Sequence, residues 1–261
     1  MTLPLPARKR FGQHFLHENF IIEKIVRAVA PKKTDNIIEI GPGLGALTQQ
    51  LLPQLSCLSV IELDKDLIPL LEEKCRHLGK LIVYQGDALK FNFKSLSKAN
   101  GLWRLVGNLP YNISTPLLFH CLDQASAIQD MHFMLQKEVV DRLNAQPEQD
   151  SYGRLSVMIQ YYCVVEKLFN VKPGAFQPPP KVDSAVVRLI PYKELPYKAN
   201  DPLLFAEIVR IAFSQRRKML RNNLANLLQA EDFEQLNIDP RQRPEQLFVS
   251  DYVNLANFLT K

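Results

Sequence analysis

The chain has 261 residues, 46% of them apolar and 23% charged. That balance suits a folded protein of one large or two modest domains and excludes global disorder, and no apolar run approaches the ~18 residues of a membrane helix. Lys and Arg number 32 against 27 Asp and Glu, a net +5 that is unevenly spread. Residues 1–33 carry +5 and residues 205–223 carry +4, leaving the rest near −4. Two basic segments around a mildly acidic middle suit a polyanion partner or, alternatively, two solvated helix faces.

In chain order, the basic residues 1–10 lead into Phe11-Gly12-Gln13-His14 rather than an apolar signal core, which makes a secreted protein unexpected and a cytoplasmic one the reading. Ile21, Ile22, Ile25, Val26 and Val29 are helically spaced over residues 18–30, and Pro31 stops them. Residues 36–40 read as a strand broken by Gly41-Pro42-Gly43-Leu44-Gly45, and Leu44, Leu47, Leu51 and Leu52 form a helical stripe after it. Strands follow at 58–61, 81–84, 102–106 and 131–135, with helices at 66–76, 115–122 and 137–143 between or after them. This alternation predicts a mainly parallel sheet with right-handed crossovers.

The prolines of Phe176-Gln177-Pro178-Pro179-Pro180-Lys181 exclude helix and central strand, and residues 184–190 read as a last strand. Residues 191–200 read as a linker, and from 201 onward only helices are expected, at 202–213, 216–228 and 252–259. The domains are therefore set at residues 1–195 and 196–261. Cys57, Cys75, Cys121 and Cys163 have no zinc-ligand spacing and are expected to be reduced, and no metal is called. Trp103, His120 and His132 read as packing residues, and Tyr161 and Tyr162 as helical residues against the sheet.

The glycine turn lets backbone approach a ligand, although it also suits a plain tight strand-to-helix connection. Glu62 ends the second strand, 21 residues after Gly41, where a carboxylate meets the ribose of a bound nucleoside. Asp87 ends the third strand after Gly86, on the same sheet edge. The turn lacks dinucleotide glycine spacing and the Lys-Ser/Thr of a triphosphate loop, and two carboxylates would repel a pyrophosphate. They tolerate a sulfonium and an amine, which favours S-adenosylmethionine, with Glu62 on the ribose and Asp87 near the adenine amino group.

Asn108-Leu109-Pro110-Tyr111 ends the fourth strand. An exocyclic adenine nitrogen is a poor nucleophile because its lone pair is delocalised into the ring. An amide oxygen (Asn108) and a carbonyl (Leu109, in a turn stiffened by Pro110) can draw it toward sp³ geometry, while Tyr111 offers a stacking face. The alternative is a strand-ending turn with a core tyrosine.

With these motifs in this order, the chain resembles the ribosomal RNA adenine N6-dimethyltransferases nearly end to end, and within them the bacterial small-subunit branch. Gly12-Gln13-His14-Phe15-Leu16 is similar to the family's Gly-Gln-Asn-Phe-Leu, with His14 in place of Asn. The 176–184 segment, Phe-x-Pro-x-Pro-x-Val-x-Ser, and Phe213-Ser214-Gln215-Arg216-Arg217-Lys218-Met219-Leu220 resemble its later motifs.

The resemblance implies a Rossmann-like class I S-adenosylmethionine methyltransferase sheet with a small all-helical C-terminal domain. It implies a cofactor site of Gln13, His14, Leu16, Gly41, Gly43, Glu62, Asp87 and Asn108. It also implies a target-base site of Asn108, Leu109, Pro110, Tyr111 and Phe176, the base lying between Tyr111 and Phe176. The expected activity is N6,N6-dimethylation of two adjacent adenosines in the 3′-terminal hairpin of 16S rRNA in the small subunit, by a monomer with a role in subunit assembly. Arg8, Lys9, Arg10, Arg216, Arg217, Lys218 and Arg221 are the expected RNA contacts, the last four on or around one helix with Arg217 and Arg221 on a shared face. The rivals weighed are a large-subunit resistance methyltransferase, a nonenzymatic nucleic-acid binder, a DNA adenine methyltransferase and a small-molecule methyltransferase.

Overall fold

The first long helix, α1 (Asn19–Val29), buries Ile22, Ile25, Val26 and Val29, the face its spacing predicts. It ends where Ala30 turns left-handed (φ 45°) and donates its N–H to Val26 O, and Pro31 follows. This computed structural model describes residue 8 and residues 12–260, and only the backbone of residues 97–100. Lys9 and Arg10 lie outside the described residues.

Ahead of α1 lies β1 (Phe15–Leu16), and after it come β2 (Asn36–Ile40), α2 (Thr48–Leu51), β3 (Leu58–Glu62), α3 (Ile68–Cys75), β4 (Leu81–Gln85), α4 (Phe93–Asn100) and β5 (Trp103–Asn108). Then follow α5 (Ser114–Leu122), β6 (Ile128–Gln136), α6 (Lys137–Asn144), α7 (Arg154–Tyr162), β7 (Cys163–Val171), β8 (Phe176–Gln177) and β9 (Ser184–Pro191). Among the described residues the main sheet has seven strands in the order β4-β3-β2-β5-β6-β9-β7. The pairs among β4, β3, β2, β5 and β6 are all parallel, and β9 runs antiparallel to β6. Strands β2 and β3 are buried almost throughout, as central parallel strands covered on both faces must be.

Several elements were not legible in the sequence, β7 and α4 among them. Strand β7 is the outermost strand and half-exposed, with charge at Glu166 and Lys167, as an edge strand tolerates. Helix α4 is polar and starts at a side-chain cap, Asn92 Oδ1 accepting from Ser95 N at 3.0 Å. At the far end of the sheet from the glycine turn, Arg104 ties three segments together. Its Nε donates to Asp130 (3.0 Å), one Nη to Asp35 (2.7 Å) and the other to Val29 O (2.7 Å).

The chain forms two compact units that are discontinuous in sequence. Met1–Val140 with Glu166–Pro191 makes the first, and Asp141–Val165 with Tyr192–Lys261 the second. Residues 141–165, which the linear division at 195 groups with the sheet, thus cluster with the C-terminal segment. In the second unit α8 (Pro202–Ala212), α9 (Leu220–Asn223), α10 (Ala230–Gln235) and α11 (Val249–Leu259) accompany α7. Its centre is aromatic: the Tyr161 ring lies 4.3 Å from that of Phe205, and Phe213 lies between Tyr152 and Tyr252.

The helix expected over 216–228 is not continuous. Residues 213–215 form a 3-10 turn, Met219 is extended (ψ 149°), and only Leu220–Asn223 is α-helical. Arg216, Arg217 and Lys218 therefore sit on a turn, and Arg217 and Arg221 share no helix face. No helix of the described residues is long and apolar enough to cross a membrane.

Candidate active site

Parallel strands β2, β3, β4 and β5 all end on one edge, and the turns beyond them frame one cavity in the first unit. The turn after β2 holds Gly41 at φ +66°, with its N–H on Ile61 O (2.9 Å). Among the described residues, apart from Gly41 and its two chain neighbours, no atom stands within 4 Å of where a Cβ would project from Gly41, which leaves the backbone open to a ligand. Gly107 does the opposite: a Cβ there would come within 2.6 Å of Ile40 O. Its missing side chain lets β5 lie close against the end of β2, and this brings Asn108 to the cavity. Gly107 was not singled out from sequence, although it directly precedes Asn108.

Glu62 ends β3 and is almost fully buried. Its two oxygens accept from Gly43 N (3.1 Å) and Asp64 N (2.8 Å), so the carboxylate is fixed and linked to the glycine turn. Burial holds its pKa above the usual range against these two hydrogen bonds. Asp87 Oδ1 accepts from Leu89 N (2.9 Å), which orients that carboxylate at the end of β4. Gln13, His14, Leu16, Gly41, Gly43, Glu62, Asp87 and Asn108 all line the cavity. Leu16 also belongs to the hydrophobic core.

Two further acids went unread in the sequence. Glu39, buried in β2, accepts the Thr48 hydroxyl at 2.6 Å and also lines the cavity. Burial raises its pKa to about 7 despite that hydrogen bond. Asp64 accepts from Gln13 Nε2 (3.1 Å) and pairs with Arg8 (2.7 Å), whose guanidinium also reaches Asp66. Arg8 was expected to grip an RNA phosphate. Its charge is instead taken up by two carboxylates, and its N–H donates to Gln13 Oε1 (2.8 Å), so it buttresses the Gln13 segment.

At the end of β5, Asn108 Nδ2 donates to His14 O at 2.9 Å. A carbonyl only accepts, so this contact fixes which end of the carboxamide is nitrogen and leaves Oδ1 to accept from another donor. Leu109, Pro110 and Tyr111 line the cavity beside it. The Tyr111 hydroxyl hydrogen-bonds Ser184 Oγ (2.7 Å), and burial raises its pKa.

Phe176 does not join them. It pairs with Leu16 between β8 and β1 and is 2% exposed within the hydrophobic core. The expected Tyr111–Phe176 sandwich is therefore not present, because the Phe176 ring is spent on core packing. Arg216, Arg217, Lys218 and Arg221 belong to the second unit. Among the described residues no three His, Cys, Asp or Glu side chains gather as a metal site would require.

The description "Ribosomal RNA adenine dimethylase" names a family profile that matches residues 5–261. The chain belongs to the ribosomal RNA adenine dimethylase family. A family relative from Marinomonas sp., "Ribosomal RNA small subunit methyltransferase A", is 55% identical over 99% of this chain and 97% of its own length. The crystal structure of a dimethyladenosine transferase from Plasmodium falciparum superposes with a TM-score of 0.79 at 28% identity, covering 93% of this chain and 96% of that one. The crystal structure of 23S rRNA methyltransferase ErmE superposes at 0.74 over 95% of this chain and 100% of that one, with 22% identity, and so shares the fold. The main sheet of this dimethylase-family chain is thus the α/β sheet of class I S-adenosylmethionine methyltransferases.

Proposed function

We propose that the chain transfers methyl groups from S-adenosylmethionine to N6 of two adjacent adenosines in the 3′-terminal hairpin of 16S rRNA, within the small ribosomal subunit. The setting is the cytoplasm, the active species a monomer, and the step part of subunit assembly. The observation that carries this reading is Asn108: its NH2 is anchored on His14 O, and its oxygen is left for a donor in a cavity that also holds Glu62 and Asp87.

The cavity fits the cofactor. Backbone at Gly41 is open to close approach, Glu62 has a fixed carboxylate for ribose hydroxyls, and Asp87 has an oriented one for an adenine amino group. Bound there, S-adenosylmethionine supplies an electrophilic sulfonium methyl. Asn108 Oδ1 accepts from the N6–H of an adenine drawn out of its stack, and the Leu109 carbonyl is assigned the second N6–H. Together they turn the nitrogen lone pair toward the methyl. Tyr111, held by Ser184, supports the base face. The S–CH3 bond would break as the N6–CH3 bond forms, neutral S-adenosylhomocysteine would be the leaving group, and the positive charge passed to N6 would go with its proton to water, so positioning and electrostatics do most of the work. The basic turn at Arg216–Lys218, with Arg221, is assigned to RNA phosphate in the second unit.

The test is incubation with labelled S-adenosylmethionine and undermethylated small subunits, beside naked large-subunit RNA, followed by mapping of the modified nucleotides. Label on two adjacent small-subunit adenosines is expected. Asn108→Ala is expected to lower turnover at least 100-fold while cofactor affinity changes less than threefold. Label confined to large-subunit RNA, or near wild-type turnover by the variant, overturns the reading.

A further inference from the structure

The basic turn of the second unit is an exposed arc on a fixed foot. Residues 214–218 are exposed, while Ala212 before them and Leu220 after them are fully buried. On the outgoing side, Leu220 N and Arg221 N donate to Gln242 O (2.7 Å) and Pro240 O (3.1 Å), so the start of α9 is tied to residues 240–242. On the incoming side two helical ends follow one another: α8 stops at Ala212 and the 3-10 turn at Gln215. Carbonyls at such ends lack partners within their own helix and need donors from elsewhere.

Asn223 supplies the donors. Its Nδ2 donates to Ala212 O at 2.6 Å and to Gln215 O at 3.2 Å. A carboxamide nitrogen carries two hydrogens, and both are spent across the foot of the arc. Gln215 O also takes Lys218 N at 2.9 Å, so the same carbonyl joins the latch to the cationic side of the arc. Asn223 is the last residue of α9, a helix seated by the buried Leu220 and, just beyond its end, the buried Leu224. The latch thus runs from an anchored helix to the arc, and removing the carboxamide frees the arc without unseating α9. An arc held in one shape presents Arg217 and Lys218 at a preset spacing, so less conformational entropy is lost when a phosphate meets them.

We propose that Asn223 is a positioning residue for RNA binding, the latch that holds the basic turn in the shape in which Arg217 and Lys218 meet phosphate. This rests on the reading of that turn as an RNA contact and adds to it a neutral residue that acts through the two cations. Asn223 then determines how tightly the small subunit is held, and neither the methyl-transfer step nor the affinity for S-adenosylmethionine.

The experiment measures Kd and KM for undermethylated small subunits near 0.1 M salt, kcat, the Kd for S-adenosylmethionine by calorimetry, and Tm. Asn223→Ala is expected to raise particle Kd and KM about fivefold, the scale of one long side chain that must be ordered on binding, with kcat and cofactor Kd within about twofold of wild type. Asn222→Ala, at the exposed neighbouring position, is expected to match wild type. Asn223→Ser keeps one hydrogen for one of the two carbonyls and is expected to fall between; it carries the test if the Ala variant fails to fold. In Arg217→Glu with Lys218→Glu the two cations that the latch presents are gone, and adding Asn223→Ala there is expected to change particle Kd by less than about twofold.

A fivefold loss on both backgrounds makes Asn223 a structural cap and overturns the latch. Wild-type binding by Asn223→Ala, beside weakened binding by the charge-reversed variant, overturns the latch and leaves the RNA reading of the turn standing. Wild-type binding by the charge-reversed variant overturns that reading, and the latch falls with it. A loss confined to the background that keeps both cations, in KM and not in kcat, with Tm within a few degrees of wild type, supports the latch over a merely structural role.

Discussion

Glu39 is a carboxyl inside a strand that is otherwise Ile and Asn, and its surroundings set its charge. It is fully enclosed, takes the Thr48 hydroxyl at 2.6 Å, and has a pKa of about 7 against an ordinary 4.5. The folded protein therefore keeps a proton that the unfolded chain releases between pH 4.5 and 7. Stability from this group is undiminished below pH 4.5 and falls as pH rises through that window. A shift of that size corresponds to about 3 kcal/mol. Glu39→Gln keeps an oxygen for Thr48 but cannot ionise. Urea unfolding of both proteins at pH 4.5 and pH 8 is expected to show wild type losing up to about 3 kcal/mol relative to the variant over that span. An unchanged difference between the two pH values would remove the buried carboxyl from the account. Glu39 was hidden in the sequence for a physical reason. A central parallel strand is covered on both faces, so its residues read as an apolar run, and a lone acid within it looks like an interruption. Glu62 and Asp87 were legible because they stand at strand ends beside Gly turns. Asp64 was not, since its partners Arg8 and Gln13 lie 56 and 51 residues away.

At the level of elements, periodicity marked what is amphipathic or buried and missed what is held by a few polar contacts. Helix α1 and strands β2 to β6 carried their pattern openly. Strand β7 did not, because an edge strand need not bury either end of its alternation. Nor did the break at Met219, where a run of basic residues good at forming helix is overridden by hydrogen bonds to a distant segment: Leu220 N to Gln242 O (2.7 Å) and Arg221 N to Pro240 O (3.1 Å). Polar contacts also fix the sheet's far end. Arg104 on β5 meets Asp130 on β6, Asp35 before β2 and the last carbonyl of α1. Its side chain and that of Asp130 are nearly buried, so solvent does little to screen the pair. Arg104→Met keeps the packing stem but takes the guanidinium from Asp35 and Asp130, leaving Asp130 only His132 Nδ1 at 3.5 Å, a loss of about 3–5 kcal/mol. The expected readout is a large drop in the urea midpoint. Adding Asp130→Asn to the variant should recover part of it, and a double variant no better than the single would show that charge is not the cause.

The molecule as a whole divides its labour by charge. The cavity of the first unit has the acids Glu62 and Asp87 on its wall, with Glu39 holding its proton below about pH 7, a lining that suits a cationic methyl donor and opposes a free polyanion. The second unit has no net charge, but its cations cluster at Arg216, Arg217, Lys218 and Arg221. Arg216 approaches Glu245 at 3.9 Å, whereas Arg217 and Lys218 are exposed and make no ion pair among the described residues. Cations left unpaired on an extended turn are available to phosphate, and contacts of this kind release counterions, which makes binding fall as salt rises. Arg217→Glu with Lys218→Glu is therefore expected to weaken binding to undermethylated small subunits at least tenfold near 0.1 M salt. The slope of log affinity against log salt should flatten by about 1.5, since each lost phosphate contact removes roughly 0.7–0.9. Affinity for S-adenosylmethionine should stay within twofold, because neither residue lines the cavity of the first unit. Particle binding measured at two or three salt concentrations decides it. A parallel line, displaced or not, would show that the turn carries no phosphate contact and that its charge is a solvated surface; a flattened line with intact cofactor binding assigns the RNA-facing charge to the second unit.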